Sequence, residues 1–228
     1  MPDLTAIIEG LITIGIPAIL AITLHEAAHG YIALAFGDPT AKEANRLTLN
    51  PIRHIDPVGT IILPGMLALS NLPLFGWAKP VPVDFYRLRN PRRDMIWVAA
   101  AGPGINILLA LLSAVLLHLV PLLDGNAKSL LADTLINSVQ FNVILAVFNM
   151  LPLPPMDGGR VAVGILPDSL ARPLAGLEKY GMVILLALLI GLPWVGSLVG
   201  LNLNIVSWIV VPIAERIVEL IAAVAGHP

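Results

Sequence analysis

His25, Glu26 and His29 stand in the order His25-Glu26-Ala27-Ala28-His29. On a helix, residues four apart are neighbours on one face, so both imidazoles can reach a single ion. Glu26 lies beside them and can take a proton from a water activated there. Two imidazoles and an adjacent carboxylate at this spacing suit hydrolysis assisted by zinc. A five-residue pattern also arises by chance, and a lone histidine is most often just a packed side chain. The surroundings argue against that reading. Three ionisable groups in an otherwise apolar helix each carry a heavy cost at membrane depth unless they are partnered, and ligation partners them.

Catalytic zinc usually takes three protein ligands and keeps one position for water. The chain has no cysteine, which removes thiolate ligands and disulfides alike. His118 falls near the far end of the second apolar stretch, a packing or interfacial position. His227 is penultimate and expected to fray. Two candidates stay open: His54, with Asp56 nearby, and Asp157. The latter follows Asn149-Met150-Leu151-Pro152-Leu153-Pro154-Pro155-Met156 and precedes Gly158-Gly159. That proline run ends a helix, and the two glycines permit a tight turn. Such a segment is equally what an ordinary interfacial loop looks like.

Five stretches have about the 20-residue length that crosses hydrocarbon: 4–36, 94–120, 131–151, 178–191 and 201–222, the fourth being short. Gly37-Asp38-Pro39 stops the first, Pro121 the second, and Gly191-Leu192-Pro193 divides the last two. A sixth apolar stretch, Pro57–Ala78, contains Gly59, Pro64, Gly65, Pro73 and Gly76, a poor composition for a straight helix. Lys42, Arg46 and Arg53 precede it; Lys79, Arg87, Arg89, Arg92 and Arg93 follow it. Basic loops favour the cytoplasm, so both flanks belong on one side and Pro57–Ala78 is re-entrant or interfacial. The loop 122–130, with Lys128 alone, belongs outside. The inner ends of the first and third spans then share one depth, where Asp157 can meet His25 and His29.

The expected fold is therefore an all-α integral-membrane bundle of five to six transmembrane helices, with a re-entrant or short β segment after the first span. Residues 1–228 form one domain. Composition agrees: 57% hydrophobic, 12% charged, mean hydropathy +0.87, where soluble domains carry about 25% charged residues. The opening MPDLTAIIEG has no basic n-region, and reads as the start of a mature helix. No internal repeat or low-complexity tract is present. Net charge is −2 and no basic patch is interleaved with aromatics, so nucleic acid is not an expected partner. Two rival classes are a metal transporter and a catalytically dead membrane-protein binder. The ionisable groups cluster at one depth and do not continue across the bilayer, against the first. Glu26 argues against the second, since a pure binder needs no buried base.

The motifs together resemble those of the site-two proteases, intramembrane zinc metallopeptidases, in their short form without PDZ or CBS domains. The likeness runs from about residue 15 to 165. His25–His29 resembles the family's zinc helix. Ala101-Gly102-Pro103-Gly104-Ile105-Asn106 resembles its GPxxN segment. Asn149 through Gly158 resembles NxxPxPxxDG, with Met156 where the family usually has Leu. The resemblance implies one Zn2+ per chain held by His25, His29 and Asp157, with Glu26 as general base. It implies that Asn149 helps to hold an extended substrate strand. Transmembrane protein substrates in a lipid bilayer, and no soluble cofactor, go with it. So does a multi-pass prokaryotic cell-membrane protein whose active site lies nearer the cytoplasm. His54 either faces the metal and stabilises an oxyanion or orders its loop through Asp56, and a polar loop favours the second. Phe75–Val83 reads either as an edge strand for substrate or as an interfacial loop with a Trp anchor. Gly102 and Gly104 suit close helix packing. Asn106 and Asn142 suit hydrogen bonding inside the bundle.

Overall fold

The computed structural model describes residues 4–63, 65–66 and 76–227. Four helices are long and apolar enough to cross a membrane: Ile8–Ala35, Pro91–Leu122, Gly125–Asn149 and Asp168–Leu198. We call their main segments α1 (Ile16–Ala35), α2 (Pro91–Leu116) and α3 (Gly125–Asn149). A short helix α4 (Asp157–Ile165) precedes the fourth span, which we call α5 (Asp168–Leu198). The last helix, α6 (Val211–Ala225), carries Glu215, Arg216 and Glu219 among apolar residues. Its neighbours and those of the other spans leave many large side chains bare, Leu11, Val183, Trp194 and Trp208 among them. In a bundle of this composition that surface faces lipid.

α1, α2 and α3 are consecutively antiparallel. His29 bonds Val98 while Ala21 bonds Asn106 on the neighbouring helix. Likewise Asn106 bonds Asn142 and Ser113 bonds Ser138. Small residues let these helices approach, which is how helices associate where no water is expelled. Ala110 and Ala114 of α2 meet Val139, Val143 and Val147 of α3 and Val210, Ala214 and Ile221 at the last helix in one buried cluster. α2 starts with Asn90 as its cap, Pro91 at the first position, and the Asp94 carboxylate accepting from the Asn90 N–H at 2.7 Å.

Three span boundaries differ from expectation. Gly191-Leu192-Pro193 does not divide α5. A π-helical turn, Ala187–Gly191, precedes Pro193, and the helix runs on to Leu198 before Gly200 turns it at φ +70°. The wider turn absorbs the missing N–H and the bulk of the proline ring. The same device stands before Pro17, as Leu11–Gly15, and before Pro212, as Val206–Val210. Pro121 does not stop the second span either, because a tighter 3-10 turn, Leu117–Leu122, carries it on. α3 then begins at Gly125, so Lys128 sits in its first turn and the connection is short. His227 does not fray. Gly226 takes the left-handed conformation at φ +84°, His227 N–H donates to Ala222 O, and its ring stacks on His118 with centroids 4.2 Å apart.

The segment between α1 and α2 starts and finishes at one end of α1. Gly37 turns the chain at φ +107°, the fully buried Asp38 accepts from Thr40 and from the Asp84 N–H, and Arg89 N–H donates to Phe36 O at 3.0 Å. Both basic flanks therefore lie on the same side. The middle of the sixth apolar stretch, with residues 64 and 67–75, lies outside the described residues. Its described ends bond each other, Trp77 N–H to Gly59 O and Thr60 Oγ1 to Trp77 O. Among the described residues none forms a β-strand, and Phe75 lies outside them. Pro80 and Pro82 remove alternate donors from the extended chain at 76–84, while the remaining N–H groups of Lys79 and Val81 go to His54 O and to Glu26.

The small-residue seam gives a direct test. Replacing the fully buried Ala110 with Leu overpacks α2 against α3 and is expected to destabilise the protein by about 1–3 kcal/mol. Equilibrium unfolding of the detergent-solubilised protein measures this.

Candidate metal centre

α1 carries His25 and His29 one turn apart on the face that meets α2, and Asp157 is brought to them from the far side of the proline run. Pro152–Pro155 breaks the chain out of α3, with a cis bond between Pro154 and Pro155. The loop then folds back over the start of α4. A side chain at Gly158 would collide with the Met150 carbonyl, and one at Gly159 would lie 2.5 Å from Pro154 N. Glycine is needed at both positions for Asp157 to open α4 at this point.

The three buried side chains converge. His25 Nε2 and His29 Nε2 are 3.1 Å apart, and Asp157 Oδ2 lies 3.2 Å from the first and 3.3 Å from the second. Among the described residues this is the group of three that could hold a metal ion. Ligand atoms placed tetrahedrally at zinc distances stand about 3.3–3.4 Å apart, so the triangle has the size of such a site.

The outer partners of the two imidazoles fix where their protons lie. His29 Nδ1 faces Val98 O at 2.7 Å, and a carbonyl can only accept, so Nδ1 carries the proton. His25 Nδ1 faces Asn106 Oδ1 at 2.6 Å. The Asn106 amide is oriented by its nitrogen, which donates to Ala21 O and Asn142 Oδ1, so His25 Nδ1 is also the donor. Both Nε2 atoms are then bare lone pairs, aimed at each other and at a carboxylate oxygen that receives no hydrogen bond. Three acceptors at this distance repel one another unless a cation lies among them. The donor set of two imidazoles and one carboxylate suits zinc. Without a metal a proton must serve.

Glu26, half-buried on the same helix, accepts at Oε2 from the Val81 N–H at 2.8 Å. A metal held by the triangle would have the Glu26 carboxylate on the residue next to one of its ligands.

Comparison with known proteins agrees with this reading. The chain is 39% identical over 179 residues, 77% of its length and 78% of the relative's, to YwhC of Bacillus subtilis, provisionally named a zinc metalloprotease. It is 30% identical over 192 residues, 84% of its length and 70% of the relative's, to Rip2 of Mycobacterium tuberculosis, named in the same way. The chain belongs to the site-two protease family. No family model matches it and no solved structure does.

Two further residues singled out in the sequence of this site-two protease, His54 and Asn149, are not members of the triangle. His54 is buried in the turn Pro51–His54, its Nε2 donating to Thr48 O at 2.9 Å while its Nδ1 finds no partner among the described residues. Asp56 does not orient it, since that carboxylate accepts from the N–H groups of Val58 and Gly59. Asn149 is the last residue of α3, and its amide nitrogen donates to Leu145 O at 2.9 Å.

Other contacts were not legible. Gly102 does more than let helices approach. A Cβ there would lie 2.5 Å from His29 Nε2 and 2.6 Å from His25 Nε2, whereas one at Gly104 would meet nothing within 4 Å. Nothing in the spacing distinguishes these two glycines. The role of Val81 had no signal at all, because it acts through its backbone.

Gly102 yields a prediction. Gly102→Ala puts a methyl group against both ligand nitrogens and is expected to weaken zinc binding about 10-fold or more, the scale of a disturbed ligand shell. Gly104→Ala should leave affinity unchanged. Zinc competition with a chromophoric chelator compares the two.

Proposed function

We propose that this protein is an intramembrane zinc endopeptidase that hydrolyses peptide bonds of membrane-embedded protein substrates. The observation that carries the proposal is the triangle of unprotonated ligand atoms, two of them on a helix long and apolar enough to span, with Glu26 on the same turn of that helix. His25, His29 and Asp157 hold one zinc ion, which when bound supplies Lewis acidity to water and to the scissile carbonyl. Glu26 takes the proton of the attacking water and passes it to the leaving amine. The Val81 N–H occupies Oε2 of Glu26 and fixes the carboxylate's direction, which leaves Oε1 as the acceptor.

A substrate helix shields its peptide carbonyls with its own hydrogen bonds, so the segment to be cut must unwind before it reaches the site. Asn149, at the junction between α3 and the proline run, lies where an extended substrate strand could pass, and we assign it substrate contact. His54 bonds the loop at Thr48, and its backbone carbonyl accepts from Lys79. These contacts favour a loop-ordering role over oxyanion stabilisation. Arg46, Arg53, Lys79, Arg87, Arg89, Arg92 and Arg93 all lie in or beside the segment between α1 and α2. By the positive-inside tendency this supports a site nearer the cytoplasm.

Purified protein in detergent is expected to cut a transmembrane reporter polypeptide, and a zinc chelator should stop it. Glu26→Gln should lower the cleavage rate by about 10²–10⁴-fold with zinc content unchanged at one ion per chain. Full activity in that variant would refute the assignment of the base. Cleavage that persists after complete removal of zinc would refute the metal mechanism.

A further inference from the structure

We propose that Asn142 is a positioning residue for the metal centre: it fixes the Asn106 amide, which in turn fixes the tautomer of His25. The proposal rests on the zinc reading above. An amide can be turned over with little change of shape, so its orientation has to be enforced. If Asn106 turned over, its NH2 group would face His25 Nδ1. That imidazole would then carry its proton on Nε2, inside the triangle, and would cease to be a ligand.

The enforcement can be traced to the backbone. Ser138 O is a carbonyl and can only accept. Asn142 Nδ2 donates to it at 2.9 Å, which points Asn142 Oδ1 towards Asn106. Asn106 Nδ2 donates to that oxygen at 2.8 Å, which leaves Asn106 Oδ1 for His25 Nδ1–H at 2.6 Å. Asn106 Nδ2 also reaches Ala21 O, at 3.2 Å, the longer of its two bonds. Turning Asn106 over would set its oxygen against two acceptors. Turning Asn142 over would set its oxygen against Ser138 O. Asn106 is fully buried and Asn142 is 1% exposed, so water cannot replace a lost partner. Asn142 touches neither the metal position nor Glu26 and acts only through Asn106. Outer-shell partners of this kind typically govern metal affinity by about 10–100-fold.

The test compares Asn142→Leu, Asn142→Thr and Asn142→Asp as full-length proteins in detergent, with zinc itself as the probe. Leu removes both amide functions. Thr can still bond Ser138 O along its own helix but cannot reach Asn106. A protonated Asp retains an acceptor for Asn106 and a donor for Ser138 O. The expected result is a zinc affinity about 10–100-fold weaker for Leu and Thr and close to the parent for Asp. The spectrum of the cobalt-substituted protein should change in Leu and Thr only, and the shift in melting temperature on adding zinc should shrink in the same two. If Leu fails to fold, Thr decides. Parental affinity and spectrum in the folded variant overturn the proposal. A purely structural role would lower the melting temperature of metal-free and zinc-loaded protein alike with affinity unchanged, and that too overturns it. If the parent protein takes up no zinc, the metal reading fails first and is recognised by that control.

Discussion

Three lone-pair-bearing atoms, each deprived of any proton of its own, are held within 3.3 Å of one another in the interior of the bundle. Burial makes their mutual repulsion severe, because little solvent is present to weaken it. Much of the surrounding structure holds them there in spite of it. The Val98 carbonyl and the Asn106 amide claim the opposite ring nitrogens. The proline run and its two glycines return the carboxylate to the depth of the imidazoles. A helix without a side chain at residue 102 leaves the ligand nitrogens room. The fold is in this sense a device for keeping lone pairs together until a cation joins them.

How far the sequence could disclose this varied with the kind of signal. The pair His25 and His29 was legible because ligand spacing on a helix is local. Asp157 was legible once basic residues were used to set the depth of each span, since both halves had to end at one level. The divided span was misread because Gly191-Leu192-Pro193 has the composition of a break. What rescues the helix is a π turn in the backbone, for which side-chain chemistry gives no cue. Pro17 and Pro212 escape notice for the same reason. The contacts of Val81 and the difference between Gly102 and Gly104 were illegible because both depend on where backbone lies in three dimensions.

Polar groups inside the bundle divide into two kinds. Ser113, Ser138, Asn106 and Asn142 satisfy one another and end at a carbonyl, so the run of hydrogen bonds between α2 and α3 is closed at its far end. The Nε2 atoms of His25 and His29 and Oδ2 of Asp157 receive no proton from the protein. That contrast separates groups that bind helices together from groups kept for chemistry, and it needs no knowledge of relatives.

The hydrogen bond from Arg89 to Phe36 has a consequence of its own. The peptide leaving the zinc helix and the peptide entering the next span are direct partners, so the fifty or so residues between them form a closed detour. Growth or shortening of that detour cannot invert the orientation of anything downstream. Evolution is free to remodel it for recognition while the hydrolytic machinery keeps its sidedness.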